Sequence, residues 1–208
     1  MKRFICALAA LLLCITCLAS CAVKFEYVDG RLVNGRTKEE YNALPMGFEP
    51  CGVGEAYGEF GAFTLYRLTD LDGNEMDPEI WLTEEYSGSA TTVFLNESSP
   101  VPSFRDMTFD VCYLCEEDVS VISIATIESS DEIKEIISAL DGEKELFRPE
   151  KDVTASYTLK FYSAEYPAVF YSVDYYVTKS GNYLHDKASD TCVEIGDMLS
   201  EYVVVEDE

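Results

Sequence analysis

The chain has 208 residues, and its 39 acidic residues against 15 lysine and arginine residues give a formal net charge of −24 at pH 7. A strongly negative protein repels the phosphate groups of nucleic acid and anionic lipid headgroups, which argues against both as partners. The same charge is compatible with basic peptides or divalent cations as partners. The chain is long enough for one large domain or two small ones, and 48% of its residues are hydrophobic, which is enough to form a buried core.

The first twenty residues have the order of a secretory signal. Two basic residues precede an apolar stretch from Phe4 to Leu18, which is shorter than the roughly 20 residues that a membrane-spanning helix needs. The run Leu18-Ala19-Ser20-Cys21 resembles the lipobox of bacterial lipoproteins, in which the cysteine receives lipid and becomes the first residue of the mature protein. The resemblance implies a signal peptide over residues 1–20 and lipid attachment at Cys21, on the extracytoplasmic side of the cell membrane. Cleavage would change the net charge to −26.

In the first half of the remaining chain, local signals favour short elements. Residues 23–28 alternate in polarity as a strand does, and Asp29-Gly30 predicts a hairpin turn into a second strand. A capping box at Thr37 predicts a short helix, and Asp77 followed by proline predicts another. Strands are expected near residues 62–68 and 91–95, and the glycine-rich residues 52–61 favour irregular backbone.

The second half has a clearer pattern, after a proline-containing segment that makes residues 99–107 a candidate subdomain boundary. Strands are expected over 109–115, 119–127, 157–163, 168–178, 182–185 and near Cys192. Between them, Ser129 or Ser130 caps a helix whose isoleucines form one apolar stripe. We therefore predict an α+β fold over residues 21–208, in which an antiparallel β-sheet has one amphipathic helix packed on a face, together with short helices and hairpins.

Four cysteines remain after Cys21: Cys51, Cys112, Cys115 and Cys192. An even count in an exported protein makes them candidates for disulfides, with three pairings open, although buried thiols are the alternative. On an extended strand Cys112 and Cys115 would point to opposite faces and could not bond each other. The spacing of the cysteines does not favour a redox or zinc site.

Catalytic templates are not matched, so we expect no catalytic residues, no cofactor and no metal site. The one histidine, His185, follows a hairpin turn and is interpreted as solvated surface. Tyrosines are dense between residues 157 and 183, and a face bearing Tyr171, Tyr175 and Tyr176 is the candidate ligand-binding surface. Cross-strand packing of these tyrosines is the alternative. Acid pairs such as Glu84-Glu85 could serve a hydrolase.

Three segments carry a wider resemblance: the strand pattern at 122–127, the charged helix that starts at Asp131, and the strand that begins at Tyr157. Together with the lipobox they resemble uncharacterised small lipoproteins of Gram-positive bacteria, and the resemblance implies a location and an architecture without an activity. We expect a lipid-anchored, non-enzymatic binding or accessory module at the cell envelope, with an envelope protein, peptide or glycan as partner. The alternatives are an envelope hydrolase with paired carboxylates and a structural subunit of an envelope assembly.

Overall fold

The computed structural model describes residues 23–84, 92–116, 123–143 and 153–203. Cys21 and the signal segment lie outside these residues, as does Glu85 of the candidate acid pair. The first eight strands are β1 (Val23–Val28), β2 (Arg31–Asn34), β3 (Glu40–Ala43), β4 (Phe48–Pro50), β5 (Gly52–Phe60), β6 (Phe63–Thr69), β7 (Trp81–Glu84) and β8 (Val93–Asn96). The other six are β9 (Val111–Glu116), β10 (Ser123–Ile127), β11 (Val153–Tyr162), β12 (Val169–Thr178), β13 (Asn182–Asp186) and β14 (Thr191–Glu194).

Seven of the first eight strands close into a barrel in the order β1-β2-β3-β8-β7-β6-β5. Neighbouring strands are antiparallel, except that β1 and β5 pair in parallel to close the ring. At the closure, a β-carbon on Gly58 would lie 2.7 Å from the Val23 carbonyl oxygen and 2.7 Å from the Phe25 ring. Glycine is therefore required where these two strands meet. The barrel interior is filled by Phe25, Leu32, Tyr41, Leu65, Leu82 and Phe94.

The other strands form a second, antiparallel sheet in the order β10-β9-β11-β12-β13-β14. Strand β4 does not join the barrel and pairs instead with the first residues of β12. Strand β13 pairs with the later residues of β12 along the same edge. One hydrophobic cluster contains residues of both sheets, including Leu68 and Trp81 from the barrel strands and Leu159 and Val173 from the second sheet. The core is therefore continuous between the barrel and the sheet.

A single α-helix occurs among the described residues, α1 (Ser130–Ala139). The Ser129 side chain accepts a hydrogen bond from the Glu132 N–H, as the capping pattern predicts. Ile133 and Ile136 are buried in the shared core, so the apolar stripe covers one face of the sheet. Two 3₁₀ turns, Phe104–Asp106 and Ser200–Tyr202, complete the elements. Within the described ranges, no helix is both long and apolar enough to cross a bilayer.

The predicted α+β class is wrong: strands hold 52% of the described residues and helices 10%, so the protein is mostly β. The short helix expected after Thr37 is a turn followed by β3, and the helix expected after Asp77 is a turn followed by β7. The glycine-rich segment is β5. Capping side chains accept hydrogen bonds from backbone N–H groups in turns as well as at helix starts. A capping residue therefore does not decide whether a helix or a strand follows it. Asp77 shows this, because its carboxylate accepts from the Glu79 N–H ahead of a strand.

Residues 99–107, the candidate boundary, contribute to the core. Phe104 is buried and stacks on the Tyr171 ring with centroids 3.9 Å apart. The Arg105 guanidinium donates hydrogen bonds to the Ile137 and Leu140 carbonyl oxygens at the end of α1. This segment therefore links the start of the second sheet to its helix.

Candidate functional site

The candidate site lies on the face of the second sheet opposite α1. Side chains alternate along β12, so Tyr171, Val173 and Tyr175 enter the shared core while Asp174 points to the other face. The register pairs Asp174 with His185 across β12 and β13. Because directly paired residues share a face, this register brings an acid and an imidazole together in the middle of the sheet.

Six side chains on this face contact one another in a line of alternating charge. We call this line the charge chain, and its members in spatial order are Lys160, Glu49, Lys187, Asp174, His185 and Asp190. They come from β11, β4, the β13–β14 turn, β12 and β13. Opposite charges alternate along the whole line when the imidazole carries two ring protons, so each charge then has a partner.

The first half of the charge chain is centred on Glu49. Its two carboxylate oxygens lie 3.0 Å from the Lys160 Nζ and 3.2 Å from the Lys187 Nζ. Lys187 Nζ also lies 3.1 Å from an Asp174 oxygen. The Lys160 ammonium also lies 5.5 Å from the centre of the Phe170 ring, which is a cation–π contact.

The second half of the charge chain is centred on His185. Its Nδ1 lies 3.1 Å from an Asp174 oxygen, and its Nε2 lies 3.0 Å from an Asp190 oxygen. The Asp174 and His185 side chains are each 7% exposed, whereas the Asp190 side chain is 85% exposed. A neutral imidazole donates from one nitrogen, so donation at both contacts requires the doubly protonated ring.

Electrostatics keeps the buried carboxylates ionised. Burial by itself would raise the pKa of Glu49, but the Lys160 and Lys187 ammonium groups outweigh it and hold that pKa below its ordinary value. Burial opposes ionisation of Asp174 too, and hydrogen bonding to His185 with the charge of Lys187 lowers its pKa. Lys187 is the reverse case, since burial alone would lower its pKa and the two carboxylates raise it.

The open end of the charge chain lines a cleft of about 600 Å³ between the barrel and the sheet. The opposite wall is largely apolar and belongs to the β3–β4 connection, the start of β4 and the start of β8, with Leu44, Pro45, Met46, Phe48 and Val93. Met46 stands at the surface with 72% of its area exposed. The cleft therefore combines a hydrophobic wall with a few fixed charges, the usual composition of a small-molecule site.

The three tyrosines expected on an exposed ligand-binding face are all buried. The Tyr171 hydroxyl donates to Asp186 at 2.5 Å, and the Tyr176 hydroxyl donates to Asp174 at 3.2 Å. The Tyr175 hydroxyl has no hydrogen-bond partner in the described part of the chain. Strand β12 is covered on both faces, which is why neighbouring tyrosines can both be inside. At these positions the structure shows packing and no exposed face.

His185 was expected to be solvated surface, and this is corrected by its burial and its two carboxylate contacts. The sequence analysis also did not single out Lys187 or Asp190. The contact between Asp174 and His185 could have been predicted, because the hairpin at residues 180–182 fixes the register that pairs these two residues. Glu49 had no such signal, since its contact with the charge chain depends on β4 joining β12 from the other half of the chain.

Three of the described cysteines lie beside the charge chain, since Cys51 and Cys115 line a cleft with Lys160 and Cys192 is paired with His185 across β13 and β14. No disulfide joins Cys51, Cys112 and Cys115, and Cys192 is buried in β14. Cys112 belongs to the shared core, while Cys115 lines a smaller cleft of about 370 Å³ with Lys160, on the face that carries the charge chain. Burial raises the pKa of Cys51 to about 12 and raises that of Cys112 and Cys115. These thiols are therefore not poised as nucleophiles.

No family model matches the chain, and no match to it was found among curated proteins or solved structures.

The cleft offers little support for a hydrolase with paired carboxylates. Glu49 and Asp174 contact one ammonium group from two sides, so their carboxylates are close enough for such a pair. That mechanism needs one acid to be protonated so that it can donate a proton to the leaving group. Both acids have lowered pKa values, so both are ionised near neutral pH. Their common role is to hold Lys187.

Proposed function

We propose that the protein is a lipid-anchored, non-enzymatic binding module of the cell envelope, and that it binds its ligand in the cleft beside the charge chain. The observation that carries this proposal is the cleft itself, where an apolar wall faces fixed charged groups at the open end of a buried network. Such a network is held in place before the ligand arrives, which reduces the entropy lost on binding.

The sequence around Cys21 supports the location. Strand β1 begins at Val23, two residues after the proposed lipid attachment. Two residues span at most about 7 Å, so a lipidated Cys21 would hold the barrel directly at the membrane surface. Two acyl chains are sufficient for stable anchoring, whereas one is marginal.

The binding function can be tested with four probes that share one small apolar body: n-butylammonium, butyrate, n-butanol and 4-aminobutyrate. Each would be titrated by calorimetry into the full-length protein in non-ionic detergent, with protein-free detergent as the blank. We expect at least one probe to bind with a dissociation constant of about 10 mM or lower. For a probe of five heavy atoms this affinity requires about 0.5 kcal/mol per heavy atom, well within the ceiling of about 1.5 kcal/mol for such small ligands.

A matched pair of variants places the binding. Met46→Trp adds bulk at the mouth of the cleft, and Ile80→Trp makes a similar change at an exposed residue in the turn before β7, outside the cleft lining. Met46→Trp should weaken binding of the active probe, and Ile80→Trp should leave it unchanged. Equal affinity in both variants, or no binding of any probe, would contradict the proposed function.

The anchor is tested separately by metabolic labelling with a fatty-acid analogue. The wild-type protein should carry the label and Cys21→Ala should not, while Cys51 remains in both proteins as an internal thiol control. An unlabelled wild-type protein, or label that persists in Cys21→Ala, would refute lipid attachment at this residue.

A further inference from the structure

The smaller cleft of about 370 Å³ lies at the Lys160 end of the charge chain, and we call it the second cleft. Among the described residues that line it, Lys160 is the only charged one. The chain as a whole has 39 acidic residues against 15 lysine and arginine residues, so a lining with a cation and no carboxylate runs against its composition. The charge of the lining favours an anionic ligand.

Lys160 is held in position but has donors to spare. Its side chain is only 10% exposed, and its ammonium lies 3.0 Å from a Glu49 oxygen and 5.5 Å from the centre of the Phe170 ring. An ammonium group has three N–H donors. Within the described part of the chain, Glu49 is the only hydrogen-bond acceptor that Lys160 contacts. Two donors are therefore left for an oxygen of a ligand in the cleft.

Lys160 is also the positive end of the charge chain. Glu49 contacts the Lys160 and Lys187 ammonium groups together, so its single negative charge is shared between two cations. Lys187 has a second carboxylate, Asp174, and Lys160 has none among the described residues. Because Lys160 is buried, solvent screens its charge less than it would at the surface. An anion in the second cleft would continue the alternation of charges.

A second polar group beside Lys160 is unsatisfied. Ser172 is paired with Lys160 across β11 and β12, so the two side chains lie on the same face of the sheet. Ser172 is fully buried, and its hydroxyl has no hydrogen-bond partner in the described part of the chain. Buried polar groups in proteins are normally hydrogen-bonded. The region around Lys160 therefore has more hydrogen-bonding capacity than the described side chains use.

The walls of the second cleft indicate the rest of the ligand. The rings of Tyr113 and Phe170 form a corner, with centroids 6.1 Å apart and planes at 89°. A planar ring in this corner can lie against the face of one ring and the edge of the other, the two contacts that aromatic pairs prefer. Pro50 and Leu71 add apolar surface. The volume of the cleft is in the range of small-molecule pockets.

From these observations we infer that the second cleft is a further binding site, separate from the cleft of the proposed function, and that it takes a small aromatic carboxylate. The carboxylate accepts hydrogen bonds from the Lys160 ammonium, and the ring packs in the corner of Tyr113 and Phe170. The net negative charge of the protein acts at long range and is screened over about 8 Å at physiological ionic strength. Contact with Lys160 is direct and is screened much less.

The test is calorimetric titration of the full-length protein in non-ionic detergent, at neutral pH, with benzoate, benzamide and benzylammonium. Benzamide has the shape of benzoate without its charge, and benzylammonium has the opposite charge. Benzoate should bind with a dissociation constant of about 10 mM or lower. It should bind at least about tenfold more tightly than the other two probes, the usual effect of a hydrogen bond between charged groups. Benzamide or benzylammonium binding as tightly as benzoate would overturn the inference.

A matched pair of lysine variants tests the role of the ammonium. Lys160→Met removes the charge and keeps an apolar stem, and it should weaken benzoate binding at least about tenfold. Lys179→Met makes the same change in the turn between β12 and β13, outside the lining of the second cleft, and should leave the affinity unchanged. The same affinity in both variants would contradict the assignment of Lys160.

A second pair of variants locates the site without altering a buried residue. Leu71→Trp adds bulk at an exposed position in the lining of the second cleft, and it should weaken benzoate binding. Ile80→Trp lies outside that lining and should leave binding unchanged. If Met46→Trp weakens benzoate binding and Leu71→Trp does not, benzoate binds in the first cleft and the inference is wrong. The proposed function is measured with the butyl probes and Met46→Trp, so either proposal can fail alone.

Discussion

Tyr175→Phe is expected to stabilise the protein, although it removes a polar group from the middle of the longest pair of strands. Tyr175 is fully buried in β12, and its hydroxyl has no hydrogen-bond partner in the described part of the chain. Its ring packs against the Tyr157 ring with centroids 5.8 Å apart, and phenylalanine keeps that contact. The substitution therefore deletes a desolvated hydroxyl and leaves the packing in place.

The magnitude follows from the cost of an unsatisfied buried hydroxyl, about 1–3 kcal/mol. We expect the free energy of unfolding to rise by about 1 kcal/mol in Tyr175→Phe. Tyr171→Phe is the same chemical change four residues away in the same strand, but its hydroxyl donates to Asp186 at 2.5 Å. Loss of a hydrogen bond to a charged group costs about 1.5–3 kcal/mol. Asp186 also accepts hydrogen bonds from the Ser189 hydroxyl and the Ala188 N–H, so it keeps two donors when the tyrosine hydroxyl is removed. We therefore expect the free energy of unfolding to fall by about 1.5 kcal/mol in Tyr171→Phe, the lower end of that range.

Urea unfolding of the two variants and the wild type at neutral pH measures the effect. The two variants should differ by about 2–3 kcal/mol with unchanged m-values, so that the differences belong to the native state. In a chain of this length each kilocalorie also moves the melting temperature by about 2–4 °C. A loss of 1 kcal/mol or more in Tyr175→Phe would refute the reasoning, since it would mean that the hydroxyl makes a stabilising contact.

Two further substitutions test the charge chain and the barrel closure. Lys187→Met leaves Glu49 and Asp174 without their common cation, so the free energy of unfolding measured by urea titration near pH 7 should fall by about 3 kcal/mol. Both carboxylates have lowered pKa values in the folded protein, so the stability they contribute is fully present above their ordinary pKa values of 4.5 and 3.8. This stability is lost as the pH falls through the lowered pKa values of the folded protein. The difference in stability between Lys187→Met and the wild type should therefore shrink in acid. Gly58→Ala places a β-carbon against the Val23 carbonyl, and thermal unfolding should show a loss of about 2–3 kcal/mol.

Matched controls accompany both substitutions. Lys179→Met removes a lysine from the β12–β13 turn that forms no ion pair with any described residue, and it should change stability by less than about 0.5 kcal/mol. Glu55→Ala changes an exposed side chain in the same strand as Gly58 and should also be nearly neutral. A Lys187→Met protein as stable as the wild type would show that the two carboxylates do not depend on that ammonium. A neutral Gly58→Ala would show that β1 and β5 can separate without loss of the barrel.

Much of the local structure could be read from neighbouring residues. Asp29-Gly30 predicted the first hairpin, and both residues adopt the positive φ angles that such a turn requires. Ser129 and the isoleucine stripe predicted α1, which the structure confirms. Where local signals were ambiguous, as after Thr37 and Asp77, the prediction of a helix was wrong because a capping side chain stabilises a turn equally well.

The sequence by itself determined the hairpins, the one α-helix and the excess of acid, because hydrogen-bonding side chains, turn residues and the period of apolar residues act between near neighbours. Only the tertiary structure decided that β1 and β5 close a barrel and that both faces of β12 are covered, so that Tyr175 and Tyr176 are both inside. It also brought Glu49 against Lys160 and Lys187, which are far from it in the chain. Burial and charge pairing of this kind depend on which distant strands pair, and no local pattern specifies that choice.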